Sequence, residues 1–60
     1  MDKRYIVKDK KGAYQSAYNL HFGKEKAFDW AVQCAKTVKG TVYFVDDSAK
    51  TEVAVFTAEQ

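Results

Sequence analysis

Apolar residues alternate with polar ones in two stretches of this chain and recur at helical spacing in a third stretch between them. Arg4 to Lys8, with Tyr5-Ile6-Val7 at its centre, reads as a first strand. Asp9-Lys10-Lys11-Gly12 reads as a turn, since Asp first and Gly fourth suit a type I turn with a left-handed glycine; a tighter two-residue loop remains an alternative register. Ala13 to Phe22 reads as a second strand in which Tyr14, Ser16, Tyr18, Leu20 and Phe22 share the core side and Ala13, Gln15, Ala17, Asn19 and His21 face water.

From Lys24 to Val38, a rotation of about 100° per residue gathers Ala27, Ala31, Cys34, Ala35 and Val38 into one stripe, which predicts an amphipathic helix. Phe28 and Trp30 fall on opposite shoulders of that stripe, and Lys39-Gly40 supplies a basic last turn and a stop. Three alanines in the stripe imply close approach of helix to sheet. Thr41 to Asp46 and Glu52 to Thr57 then form a second hairpin, and a four-residue loop sets Asp46 opposite Thr51. That register pairs Phe44 with Val53 and Val42 with Val55 on one face, and Tyr43 with Ala54 and Thr41 with Phe56 on the other.

The expected fold class is therefore α+β: a single ββαββ domain over residues 1–60, with a four-stranded sheet packed by one helix. The β-grasp-like order 2-1-4-3, with strands 1 and 4 parallel at the centre, is preferred because Tyr5-Ile6-Val7 and Val53-Ala54-Val55-Phe56 are continuous apolar runs suited to central positions. Strand 3 is nearly as apolar, so the order 1-2-3-4 and a sheet completed by a second copy stay open.

The second hairpin is apolar on both faces, although a sheet that packs one helix needs only one apolar face. Either the surplus face of Tyr43, Val45, Ala54 and Phe56 is a binding surface, or it is covered by the C-terminal segment, by Lys and Arg side chains or by a second copy. With 60 residues, of which 47% are hydrophobic and 15% aromatic, the chain sits near the lower limit for folding without disulfides or metal. Some help from self-association or a partner is expected.

Composition removes several function classes. The one cysteine allows no internal disulfide and no cysteine-based metal cluster within the chain, and Cys34 on the apolar stripe reads as a small packed hydrophobe. His21 on the polar side of its strand reads as a solvated imidazole. No phosphate-binding glycine loop, nucleophile-base arrangement or metal-spaced cluster occurs, so neither enzymatic activity nor a cofactor is expected. Asp46-Asp47 sit in a turn, where carboxylates more often accept backbone hydrogen bonds than move protons. Met1-Asp2-Lys3-Arg4 leads into a short strand and then into charge, without a hydrophobic segment of signal or membrane-spanning length; a cytoplasmic location and no membrane association are expected.

The formal net charge of +2 is unevenly divided. Residues 1–40 hold nine Lys or Arg against four acids, a balance of +5, and residues 41–60 hold one Lys against four acids, a balance of −3. Such a division steers charged partners.

The hairpin-helix-hairpin layout and the turn Asp46-Asp47-Ser48-Ala49-Lys50-Thr51 resemble the immunoglobulin-binding domains of the protein G type and other small β-grasp modules. Antibody contact in that family uses a tryptophan on the third strand, where this chain has Val42 and Tyr43 while its tryptophan, Trp30, is helical, so antibody binding is not implied. Trp30-Ala31, the run Val42-Tyr43-Phe44-Val45-Asp46-Asp47, and Lys50, Glu52 and Val53 are similar to the Dmd-type antitoxins of T-even phages. That resemblance implies a phage or prophage inhibitor or adaptor acting by direct contact with a host protein.

The function expected is a non-enzymatic protein-binding module with Tyr43, Val45 and Phe56 as anchors on the outer sheet face and Trp30 as a separate anchor at the helix edge. The alternative is a small nucleic-acid-binding protein in which Arg4, Lys8, Lys10 and Lys11 contact phosphates beside sheet aromatics; the low net charge and acidic C-terminal third speak against it. A homodimer pairing through the outer sheet faces is the third expectation.

Overall fold

A computed structural model describes residues 3–58; Met1, Asp2, Glu59 and Gln60, at the ends of the expected domain, lie outside the described residues. The elements are strands β1 (Lys3–Lys8) and β2 (Tyr14–Asn19), a single 3-10 turn (Leu20–Phe22), helix α1 (Lys24–Val38), and strands β3 (Thr41–Asp46) and β4 (Thr51–Thr57). The fold is α+β with the ββαββ layout that the apolar pattern predicts. Among the described residues, no helix is long and apolar enough to cross a membrane.

The strand order is β2-β1-β3-β4, with every neighbouring pair antiparallel. This corrects the expected order 2-1-4-3 and its central parallel pair. The reason lies in the link between α1 and β3. Gly40 packs on the end of β1 so closely that a Cβ there would stand 1.9 Å from the Lys8 carbonyl oxygen. Lys39 and Gly40 span roughly 7 Å at most, so the chain enters β3 beside Lys8 and pairs Thr41 with it. Reaching past an intervening strand would take roughly another 5 Å.

Lys39 supports this arrangement by adopting the left-handed conformation at φ 58°, and the Gly40 N–H closes the helix end on the Ala35 carbonyl. The glycine is thus required for space, while its lysine neighbour takes the strained backbone. At the same end of the sheet, Gly12 at φ 87° donates to the Asp9 carbonyl, and the Asp9 carboxylate accepts from the Lys11 and Ala13 N–H groups. This is the left-handed glycine turn expected for the first hairpin.

Both edge strands carry a bulge. In β2, Val7 pairs with Ser16 but Lys8 pairs with Tyr14, so Gln15 is the extra residue. Tyr14 is thereby turned from the expected core side to the side of Lys8, and it is exposed. In β4, Tyr43 pairs with Ala54 and Val42 with Phe56, leaving Val55 as the extra residue. The expected pairs Phe44–Val53, Tyr43–Ala54 and Asp46–Thr51 are present, whereas the expected Val42–Val55 and Thr41–Phe56 pairs are replaced by Val42–Phe56 and Thr41–Thr57. A bulged edge resists strand addition by another chain.

The core lies between α1 and one face of the sheet. Ala27, Ala31 and Ala35 are fully buried against Tyr5, Val7 and Val42, and Phe28, Phe44, Phe56, Tyr18 and Leu20 pack around them partly buried. Alanines on the contact stripe let the helix sit low on the strands, which is why valines suffice to fill the space. α1 rests mainly on β1 and β2 and reaches β3 only at its margin. The second strand stops at Asn19 rather than continuing to Phe22, because the Asn19 side chain accepts the His21 N–H at 2.7 Å and starts the 3-10 turn.

Candidate protein-interaction surface

The sheet face away from α1 carries Arg4, Ile6 and Lys8 from β1, Thr41, Tyr43 and Val45 from β3, and Glu52 and Ala54 from β4, as the cross-strand pairs require. Among the described residues no element packs on this face, yet Ile6 and Val45 are each only 7% exposed. Their cover comes from charged side chains of the same sheet. Lys8 crosses over Tyr43, its Nζ 4.9 Å from the ring centroid, and donates to a Glu52 carboxylate oxygen at 2.8 Å. Arg4 reaches past Val45 to donate to Asp47 at 2.6 Å. Long aliphatic stems shield apolar surface while their heads stay wet.

This places three of the expected anchors differently from the sequence expectation. Val45 is buried, Tyr43 is half-buried beneath Lys8, and Phe56 has left the outer face. Phe56 packs against the core on the helix side because the bulge at Val55 moves it by one position. Cover by Lys and Arg side chains, one of the covers expected for the surplus apolar face, is present over Tyr43 and Val45, while Ala54 is exposed.

Electrostatics follow the same contacts. The hydrogen bond it donates to Glu52 is the main cause that raises the Lys8 ammonium above its ordinary pKa, with smaller support from the charges of Glu52 and Tyr43 against some desolvation. Backbone N–H donation, foremost from Ala13, holds the Asp9 carboxyl below its ordinary value. Burial raises the Tyr5 phenol. At the second turn, Asp46 accepts the Ser48 and Ala49 N–H groups, so the adjacent carboxylates serve the turn and the Arg4 pair. Among the described residues, no three His, Cys, Asp or Glu side chains converge as a metal site.

The basic residues of the nucleic-acid alternative are split by these pairs. Arg4 and Lys8 are engaged with carboxylates, while Lys10 and Lys11 stand exposed at the β1–β2 turn. Of the aromatics on the outer side, Tyr43 has its ring covered by Lys8, and Tyr14, beside Lys8 at the edge, is exposed.

Trp30 is placed as the helical pattern predicts, at the edge of α1, and it does not stand alone. Its ring lies 6.2 Å from Tyr18 and 5.9 Å from Phe22, and Phe22 meets His21 edge-on at 5.6 Å. Trp30 is 42% exposed and Phe22 62% exposed. The 3-10 turn brings Phe22 here; as the end of a continued strand it would have pointed along the sheet. Gly23, at φ 104°, then reverses the chain into α1. Sequence periodicity missed Phe22 because it treated residues 20–22 as strand; the signal available was Asn19, a residue that caps such turns. On the same flank Cys34 is half-buried, its Sγ 3.2 Å from the Ser16 hydroxyl, and acts as packing.

Searches against family models, curated proteins and solved structures found no match to this chain.

Proposed function

We propose that this chain is a non-enzymatic protein-binding module, an inhibitor or adaptor of the phage type acting by direct contact, and that it engages its partner through Trp30, Phe22 and Tyr18 rather than through the outer sheet face. The observation that carries this reading is the contiguous aromatic cluster at the junction of the 3-10 turn, α1 and β2, with Phe22 62% exposed. Exposed large aromatics in contact with one another are unusual on a surface that only meets water, and Trp and Tyr dominate binding energy in protein interfaces. The rings are held by one another, so little side-chain freedom is lost on binding. The sequence likeness of Trp30-Ala31 and of the third strand to Dmd-type antitoxins supports the inhibitor class.

The test uses Trp30, the only tryptophan, as its own reporter. In capture from extracts of the native host, Phe22→Ser should lose the partner while circular dichroism stays native, and Tyr43→Ser should retain it. With the captured protein added back, Trp30 emission should shift to the blue and become protected from acrylamide. Capture that survives Phe22→Ser but fails with Tyr43→Ser returns the site to the outer face and ends this reading.

A further inference from the structure

On the flank of α1 opposite Trp30, the same helix side that bears Phe28 borders a part of the sheet that α1 does not cover. Phe28 packs on Tyr5 at 5.3 Å, and Tyr5 packs on Phe44 at 5.5 Å. Beyond them Phe44 and Phe56 are only half-buried and Val53, paired with Phe44, is 55% exposed. A single helix is about 10 Å across, whereas four strands span roughly 14 Å between outer axes. Because α1 sits over β1 and β2, the uncovered margin falls entirely at β3 and β4.

The helix flank above this margin carries Glu25, Asp29, Val32, Lys36 and Lys39, a 4-3-4-3 spacing. At about 100° per residue the first four fall within an arc of roughly 60°, and Lys39, the left-handed residue that ends α1, follows three positions on. The row reads acid, acid, apolar, base, base. None of the four charged side chains has an ion-pair partner among the described residues. The gradient agrees with the helix dipole, and it is also self-complementary. Two antiparallel copies related by a twofold axis at Val32 set Glu25 opposite the second copy's Lys39, and Asp29 close to its Lys36. Parallel copies would set like against like.

We propose that a second copy of this chain occupies this flank, forming an isologous dimer in which the two α1 helices run antiparallel about Val32 and the uncovered β3–β4 margin is buried. Three further observations favour a second copy in this place. The bulges at Gln15 and Val55 disfavour joining through either sheet edge. The outer face is covered over β1 and β3 by Lys8 and Arg4. The core is thin, with Val7 and Val42 as its largest fully buried side chains, and no disulfide supplements it. A small stable interface takes about 600 Å² from each chain, roughly one seventh of its 4081 Å² surface. The Trp30 cluster lies on the opposite flank and stays free, so the two surfaces are separately testable.

Analytical ultracentrifugation across a concentration series should show a monomer–dimer equilibrium for the native chain. The pair Lys36→Glu with Lys39→Glu, and separately the pair Glu25→Lys with Asp29→Lys, should each weaken self-association at least tenfold while circular dichroism remains native. Mixed one to one, the two variants should recover a dimer containing one of each, because the acidic row then meets the basic row. A native chain that remains monomeric at millimolar concentration overturns the proposal and leaves the margin to another protein. A dimer indifferent to both charge reversals, or two variants that fail to recover association when mixed, overturns it equally.

Discussion

Tyr5 and Ile6 are adjacent residues of β1, both under a tenth exposed, and they are covered by opposite chemistry. Tyr5 is closed over by Phe28, Phe44 and the alanine stripe of α1, a contact between fixed apolar surfaces. Ile6 lies on the face where the cover is a lysine and an arginine drawn across the sheet by Glu52 and Asp47. The first kind of cover resists salt and small rearrangements; the second depends on long, mobile side chains whose ion pairs contribute little by themselves. A sheet that is apolar on both sides therefore does not announce a binding face. Its second side is occupied wherever neighbouring strands supply cations and carboxylates at the right diagonal.

Substitutions on the two faces should separate these covers, and the largest effects belong to the helix side. Gly40→Ala places a methyl against the Lys8 backbone; overpacking against atoms that cannot move should cost on the order of 3 kcal/mol. Urea midpoints measure this, and a loss under about 1 kcal/mol would mean that the helix end is looser than its geometry. Next comes Val42→Ala, which opens space in the fully buried layer and should cost about 2 kcal/mol. Phe56→Ser should also lose about 2 kcal/mol, because the ring packs against the core. If Phe56→Ser is instead silent in stability but abolishes partner capture, Phe56 faces outward and the bulge at Val55 is misplaced.

On the outer face the prediction concerns pH and stem length rather than a large loss. Lys8 has a folded pKa raised chiefly by its hydrogen bond to Glu52, and on the helix side Tyr5 has one raised by burial. Their contributions are intact below about 10 and decline as pH rises through the folded values. Asp9 has the opposite sign, with a folded value lowered chiefly by the Ala13 N–H. Its contribution is intact above about 4 and fades as pH falls through the folded value. Lys8→Met, which keeps the stem over Tyr43, should flatten part of the alkaline decline with little change at neutral pH, whereas Lys8→Ala should increase binding of a hydrophobic dye. Equal dye binding by the two variants would show that the stem covers nothing. Smallest of all, Phe22→Ser should change stability by less than about 0.5 kcal/mol, since the ring is mostly in solvent, and its effect should appear in partner capture alone.

The parts of the fold that were legible in the sequence rest on short-range rules. The helix Lys24–Val38 has its expected bounds because its apolar stripe repeats within one element, and the turns at Asp9–Gly12 and Asp46–Thr51 depend on residues a few positions apart. Trp30 at the helix edge follows from the same periodicity. Of the aromatic cluster proposed as the interaction surface, only that one residue was legible. Phe22 joined it through a turn set by Asn19, and Tyr43, Val45 and Phe56 left it through contacts with residues more than ten positions away or through a bulge.

Composition and periodicity by themselves determined an α+β chain with two hairpins, one alanine-faced helix and more apolar sheet surface than that helix needs. Strand order was decided in three dimensions, where the two-residue link at Lys39-Gly40 drops β3 beside β1. So were the extra residues Gln15 and Val55, since a bulge is a property of a pair of strands and not of either alone. The closure of the outer face was settled there too. Lys8 and Glu52 are 44 positions apart, and nothing short of the assembled sheet brings that ammonium across Tyr43 to that carboxylate.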